Sequence, residues 1–425
     1  MELIEDVKRA FYTPEIRRKV LYTGLILIVY RLLANIPSPG IDTAALSKLF
    51  SQNQFLGLLN VFSGGTFANF AIIAIGLTPY ITSSVVIQLL TTVVPKLEEL
   101  SQQGEAGRRT IIQATRILTV PLALVQAVSI FFLLKSQNVI TTVDPLSIAT
   151  LFCTLTAGAI LLMWLGESLT EDGVGQGISL LIACNVLSAI PHSLIQTLQA
   201  QSFDFISVIG IVGLFALVMV GIVFINEAVR NVPLNYTKRI RGNKVMGGNS
   251  TFLPVKVNTA GVMPAIFAIS MVIFPLTVGK FLTNANSEQI RNAANAVVSF
   301  LNNQSYYAAI YFLLVFIFSY FYAYIVFSPE KVAEDLQKQG GFIPGIRPGE
   351  QTAEYLSKIL GRVTFIGGIF LAVVVTIPII LQNATGITTL SVGGTGLIIV
   401  VGVVMQIISQ LKSYMVTRSY DTFKR

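Results

Sequence analysis

The sequence predicts an all-α polytopic membrane protein, with ten transmembrane helices in two inverted five-helix halves. Three observations carry that prediction. The 425-residue chain is 53% hydrophobic and 12% charged, with a mean hydropathy of +0.71. An ordinary soluble domain carries about 25% charged residues, and a chain this apolar could not cover its own surface in water. Apolar runs near the ~20-residue spanning length recur along the whole chain. Two strings, Gly76-Leu77-Thr78-Pro79 and Gly261-Val262-Met263-Pro264, fall at matching places in that series of runs.

The runs lie at 19–36, 71–94, 116–135, 148–168, 177–195, 206–226, 259–279, 306–327, 363–382 and 390–411. Lys8, Arg9, Arg17, Arg18 and Lys19 precede the first, and no A-x-A cleavage pattern follows it. It therefore reads as a retained helix rather than a signal peptide. Directly before the second run stands NVFSGGTFANF (60–70), apolar but too short and glycine-rich to cross a membrane. The second and seventh runs carry the two Gly-x-x-Pro strings. Inside a helix, Gly and Pro weaken the hydrogen-bond ladder, so each string predicts a kink or break. Paired interruptions at the same ordinal helix point to an internal repeat with a central site between its halves. Five spans per half is odd, so the second half enters from the opposite side. The expected organisation is an N-terminal segment (1–18), an N-terminal half (19–195), a C-terminal half (206–411) and a tail (412–425).

Basic residues give the orientation. The segment before the first run, together with 96–116, 230–256, 331–362 and the stretch after 411, holds 24 of the 29 Lys and Arg; only Arg31, Lys48, Lys135, Lys280 and Arg291 fall elsewhere. Both termini and the two large basic loops are thus expected in the cytoplasm.

Ionisable groups are nearly absent between the predicted helix ends. Arg31 lies in the outer part of the first helix, and Glu167 and Glu227 at the cytoplasmic ends of the fourth and sixth. Ion-coupled transporters keep charged groups at depth because these mark the pathway. Here the polar groups at depth are neutral: Thr78, Thr82, Ser83, Ser84, Gln88, Gln126, Asn185 and Gln406. Such residues also join helices to one another. One histidine, His192, allows no Ser-His-Asp triad, and Cys153 and Cys184 suggest neither a disulfide framework nor a metal pair. Gly173-Val174-Gly175-Gln176-Gly177 follows a helix rather than a strand, so it reads as a tight turn and not as a nucleotide fingerprint. No catalytic residue, metal or cofactor is expected. A passive channel fits an uncharged pathway better than a secondary solute transporter built from inverted repeats, or an intramembrane enzyme.

Residues 230–258 hold six basic residues and no acid. Short alternating stretches flank Gly247-Gly248-Asn249-Ser250, so a β-hairpin-like loop is expected. In 328–362 a Lys/Glu-rich helical stretch precedes Gly340-Gly341-Phe342-Ile343-Pro344-Gly345-Ile346-Arg347-Pro348-Gly349, a rigid tip exposing Arg347. Loops this long are usually functional, and a basic protrusion suits a phosphate-rich or acidic partner.

Several strings closely resemble the bacterial SecY family: Phe62-Ser63-Gly64-Gly65, Pro79-Tyr80-Ile81, Gly104-Glu105-Ala106-Gly107-Arg108-Arg109, Trp164-Leu165-Gly166-Glu167, Gly177-Ile178-Ser179, Ser250-Thr251-Phe252-Leu253-Pro254-Val255-Lys256-Val257-Asn258, Ala260-Gly261-Val262, the 340–349 tip and Gly393-Gly394-Thr395. They run in order along essentially the whole chain. The resemblance implies the pore-forming subunit of the Sec translocon, with its ten helices around a central hourglass pore. It implies a plug at about 60–70, including Asn60, Phe62, Ser63, Gly64, Gly65, Phe67 and Phe70. Irregular backbone at membrane depth is tolerated only where protein or a water-filled cavity surrounds it. It implies a pore ring of Leu77, Ile81, Ile182, Ile266 and Ile399, which closes by dewetting. It implies a lateral gate lined by Thr82, Gln126 and Asn258, and a docking face with Arg230, Lys238, Arg239 and Arg347. The implied partners are SecE and SecG, the motor ATPase SecA, the ribosome, signal peptides and unfolded precursors, and anionic lipids. The implied location is a bacterial plasma membrane, with a plastid membrane as the alternative. Asn231, Asp172 and Phe252 depart from the family pattern and bear on docking rather than on the pore.

Overall fold

The computed structural model describes residues 14–38, 66, 70–136, 144–199, 205–236, 239–241, 244–246, 250–283, 287–385 and 391–422. The described residues form a bundle of helices with one three-stranded and one two-stranded β-sheet. In order come α1 (Pro14–Ala34), α2 (Thr78–Val93), α3 (Pro95–Gln102), α4 (Glu105–Ser136), α5 (Pro145–Asp172), α6 (Gly177–Gln199) and α7 (Phe205–Glu227). Strands β1 (Val229–Tyr236), β2 (Arg239–Arg241), β3 (Lys244–Met246) and β4 (Ser250–Lys256) follow. The rest is α8 (Met263–Leu282), α9 (Glu288–Asn302), α10 (Gln304–Phe327), α11 (Pro329–Lys338), β5 (Gly341–Phe342), α12 (Glu350–Thr385) and α13 (Ser391–Thr422).

A helix lies at each of the ten predicted runs. Among the described residues, five are long and apolar enough to cross a membrane, within Glu105–Phe132, Pro145–Asp172, Met263–Lys280, Ser305–Lys338 and Glu350–Ile380; the bent pair α2–α3 makes six if it counts as one span. That pair turns by 105°. Pro95 disfavours helical backbone in the residue before it, and Val94 is accordingly extended (φ −98°, ψ 111°). The break between α10 and α11 has a similar cause. Ser328 adopts a left-handed conformation (φ 41°), and Pro329 opens the next helix, where its missing N–H costs nothing.

Several boundaries differ from expectation. The second run was expected to be helical from 71 and the seventh from 259, each with an interior break. Instead α2 starts at Thr78 and α8 at Met263, so each Gly-x-x-Pro string is a helix start. Gly76 and Gly261 have φ of 68° and 64°, values that glycine adopts without steric cost, and Pro79 and Pro264 sit in the first turns that follow. At the other extreme, α4, α12 and α13 run past their apolar segments. The last third of the expected 328–362 loop is the first part of α12, because the stretch from Glu350 is rich in good helix formers.

The main contacts between elements before residue 200 and those after 204 run along two seams: α8 packs on α2 and α4, and α6 packs on α13. A single large apolar cluster draws on α1, α2, α5, α6, α7, α8, α10, α12 and α13. A second, smaller cluster joins Phe70, Ala74 and Ile75 to α4, α5 and Leu276.

The basic loops fold together. β1 lies between β4 and β5 in an antiparallel sheet, so 229–236, 250–256 and 341–342 are one unit. Its underside packs Val232, Leu234 and Val255 with Leu336, Ile343, Leu356 and Leu360. Of the expected turn at 247–250, residues 247–249 lie outside the described residues. β2 pairs with β3 antiparallel, in a register that sets Arg241 opposite Lys244.

Candidate functional site

The five predicted ring residues come from four elements, and all five belong to or pack against the large apolar cluster. Leu77, Ile182, Ile266 and Ile399 are buried in the large cluster, and Ile81 packs against it half-buried. Local backbone explains the placement of three of them. At both Gly-x-x-Pro starts the glycine N–H closes a turn, Gly76 onto the Ile73 carbonyl (2.9 Å) and Gly261 onto the Asn258 carbonyl (3.4 Å). The residue after each glycine then accepts the first helical bond, from Ile81 to Leu77 (3.0 Å) and from Ile266 to Val262 (3.4 Å). Ile81 and Ile266 thus each stand five residues past a left-handed glycine, one turn into their helices.

Ile399 is set by close helix approach. Gly396 and Gly402 flank it at i−3 and i+3, on the same side of α13. A Cβ on Gly396 would lie 2.4 Å from Val186 Cγ1, and one on Gly402 would lie 2.1 Å from Val262 Cγ2. Val186 is one turn beyond Ile182, and Val262 one turn ahead of Ile266. The two glycines therefore press the Ile399 face of α13 between the segments that carry the other isoleucines.

The polar groups near this collar are neutral and engaged. Tyr30, 1% exposed, donates its hydroxyl to the Asn185 side-chain oxygen, tying α1 to the turn of α6 after Ile182. Ser83 Oγ donates to the Thr115 carbonyl at 2.7 Å, tying α2 to α4. Tyr30 carried no sequence signal as an isolated aromatic in an apolar run. The tie at Ser83 needed knowledge of which helix lay beside it.

Of the expected plug, Asn60, Phe62, Ser63, Gly64, Gly65 and Phe67 lie outside the described residues. Phe70 is fully buried with φ 42°. Its carbonyl accepts from Ser38 N (2.8 Å), and Ile72 N donates to the Ile36 carbonyl (3.0 Å). Two backbone bonds thus fasten the end of this segment to the chain leaving α1. On its other side, Gly158 of α5 lets the Ile72 backbone lie directly on the helix: a Cβ there would be 2.2 Å from the Ile72 oxygen.

Thr82 and Gln126 are both buried, on the two helices that meet α8. The Thr82 hydroxyl donates to the Thr78 carbonyl at 2.9 Å. Asn258, in the turn leading into α8, donates to the Asn226 side-chain oxygen at the end of α7 (2.6 Å). Arg230 on β1 and Arg347 on the 343–349 tip are exposed. Arg239 lies on β2, and Lys238 is outside the described residues. Phe252, one of the departures, is 65% exposed on β4.

Comparison with known proteins gives a consistent picture. The family model described as SecY matches residues 71–408. A protein of Halalkalibacterium halodurans named Protein translocase subunit SecY is 41% identical over 433 residues, covering 99% of this chain and all of that one. One of the same name from Staphylococcus aureus is 38% identical over 435 residues, covering 99% of each. Among solved structures, "The structure of a protein conducting channel" superposes with a TM-score of 0.64 at 20% identity, over 94% of this chain and 93% of that one. "Sec61 in the Canine ribosome-channel complex from the endoplasmic reticulum" gives 0.59 at 18% identity, with the same coverage.

Proposed function

This chain belongs to the SecY family, and we propose that it is the channel subunit of a protein translocase: a passive, gated conduit for unfolded polypeptides, with a side opening that releases hydrophobic segments into lipid. The observation that supports the mechanism is that Leu77, Ile81, Ile182, Ile266 and Ile399 all belong to or pack against one large apolar cluster, and that among the described residues no charged side chain is buried; in this reading the five form an aliphatic collar. Such a collar excludes water and ions by dewetting. It yields to a passing chain because it offers no hydrogen bond or charge to hold it.

In this reading the ten helices form two inverted halves. Supporting it are the twin helix starts at Gly76 and Gly261, with the same sign and size of φ, the same turn and the same following proline. The seam of α8 on α2 and α4 is the side that parts, lined by Thr82, Gln126 and Asn258. The 60–70 segment is the plug, and its anchor at Ser38, Phe70 and Ile72 is the fixed end about which it moves. The basic loops that carry β1–β5 face the cytoplasm and dock the ribosome or the motor ATPase SecA through Arg230, Lys238, Arg239 and Arg347. SecE and SecG are its membrane partners, in a bacterial plasma membrane with both termini cytoplasmic.

The collar is tested in planar bilayers. Replacing Ile81 and Ile182 together by Asn introduces water-binding groups into the ring, and the resting channel is expected to leak small ions. Resting conductance identical to the unmodified protein would remove these residues from the gate.

A further inference from the structure

The helix α9 has no counterpart among the predicted spans, and its apolar stripe is wider than the protein covers. At 3.6 residues per turn, Ala294, Val298 and Leu301 fall on one side and face the bundle. Ala294 is buried, Val298 and Leu301 pack on the smaller apolar cluster, and Val298 comes so close to α8 that a Cβ on Gly279 would be 3.0 Å from its Cγ2. Beside that row runs a second, Ile290, Ala293, Val297 and Phe300, and all four are exposed. Ile290, Val297 and Phe300 are 46%, 43% and 50% exposed. Glu288, Asn292, Asn295 and Ser299 occupy the opposite face.

The neighbouring helices fix the depth of this row. The apolar run of α8 ends at Lys280 and that of α10 begins at Ser305. A single residue, Asn303, separates α9 from α10, and its side chain accepts from Ser305 N at 3.1 Å to cap the second helix. Phe300 therefore stands five residues before the start of a span. Its ring stacks on Tyr306 at 5.0 Å with a 22° interplanar angle, and Tyr306 is itself 52% exposed. Tyrosine at the end of a span is the residue type that settles at headgroup level.

We propose that α9 lies along the water–lipid boundary with Ile290, Ala293, Val297 and Phe300 pressed into the acyl chains, so that the bilayer itself is the partner of this surface. A helix with one apolar and one polar face, held at that depth, is the geometry of an interfacial anchor. A protein partner fits less well, since a stable protein interface needs roughly 800 Å² from each side, and four part-exposed side chains in one row offer far less. The proposal rests on the reading that α8 and α10 cross the bilayer.

Trp164 is the chain's one tryptophan, so a Trp164→Phe background gives a dark full-length protein for single-site probes in liposomes. Phe300→Trp and Val297→Trp are the test positions, Ser299→Trp the polar-face comparison, and Leu313→Trp the mid-span comparison, at a site 56% exposed on α10. Lipids brominated on the upper acyl chain should dim and iodide should spare Phe300→Trp and Val297→Trp, whose emission should be blue-shifted. Ser299→Trp should behave in the opposite way. Iodide quenching at both test positions, matching Ser299→Trp, overturns the proposal. So does protection from both quenchers, which would mean that another protein covers the row. Failure of brominated lipid to reach Leu313→Trp would overturn the spanning reading and the proposal with it, whereas failure at 297 and 300 alone overturns only the proposal.

Discussion

Gly158→Ala puts one methyl group between the α5 backbone and the segment that leads into the collar. The new Cβ would lie 2.2 Å from the Ile72 oxygen and 2.9 Å from its carbonyl carbon, where ordinary contact begins at 3.4 Å. These are backbone atoms, so no rotamer change relieves the clash, and roughly 1 Å must come from moving the segment or the helix. The segment is not free to retreat, because Ile72 N is bonded to the Ile36 carbonyl on its far side. Overpacking of this kind costs about 1–3 kcal/mol. If the close contact belongs to the resting state alone, that cost shifts the open-to-closed ratio by about 5- to 150-fold. Planar-bilayer recordings should show resting conductance rising accordingly. Gly24→Ala on α1, where a Cβ meets nothing within 4 Å, should leave it unchanged. A Gly158→Ala protein with the resting conductance and melting temperature of the unmodified chain would refute both the close contact and its coupling to the gate.

Tyr30→Phe removes the hydroxyl that donates to Asn185, the loss of one hydrogen bond worth about 0.5–1.5 kcal/mol; a melting curve in detergent should shift down, and an unchanged curve would show that the tie between α1 and α6 carries no stability. Arg347→Glu should abolish motor-driven export in reconstituted vesicles without lowering the melting temperature. The fold uses only the Arg347 carbonyl, which accepts from Thr352 Oγ1 at 2.9 Å, and normal export by this variant would take Arg347 off the docking face.

Hydropathy located the helices but not their beginnings, because a sum over apolar residues carries no information about φ. The string Gly76-Leu77-Thr78-Pro79 reads as an interior break if the apolar residues at 71–77 are counted into the helix; the structure uses the same residues as a turn and a start. α9 escaped for the opposite reason: a 15-residue helix with alternating faces never reaches the mean hydropathy of a span. The resemblance nominated the ring residues one by one, but it gave no sign of the close approach of α13 at Gly396 and Gly402, whose meaning depends on Val186 and Val262, far away in sequence. Charge counting separated the basic connections from the rest but could not reveal that β1 and β4 share one sheet with β5, since pairing of β1 with β5 spans about a hundred residues without a periodic signal.

The twin starts at Gly76 and Gly261 allow the internal repeat to be tested directly. A Cβ at either position meets nothing within 4 Å, so Gly76→Ala and Gly261→Ala differ from the unmodified chain only in the cost of holding alanine at positive φ. That cost is about 1–2 kcal/mol, and the two φ values differ by only a few degrees. The two substitutions should therefore lower the melting temperature by equal amounts. Each should also disturb the helix turn that presents Ile81 or Ile266, so each should raise resting conductance. A loss confined to one of them would mean that the shared geometry is local coincidence, and that the collar is built by two different devices rather than by one device used twice.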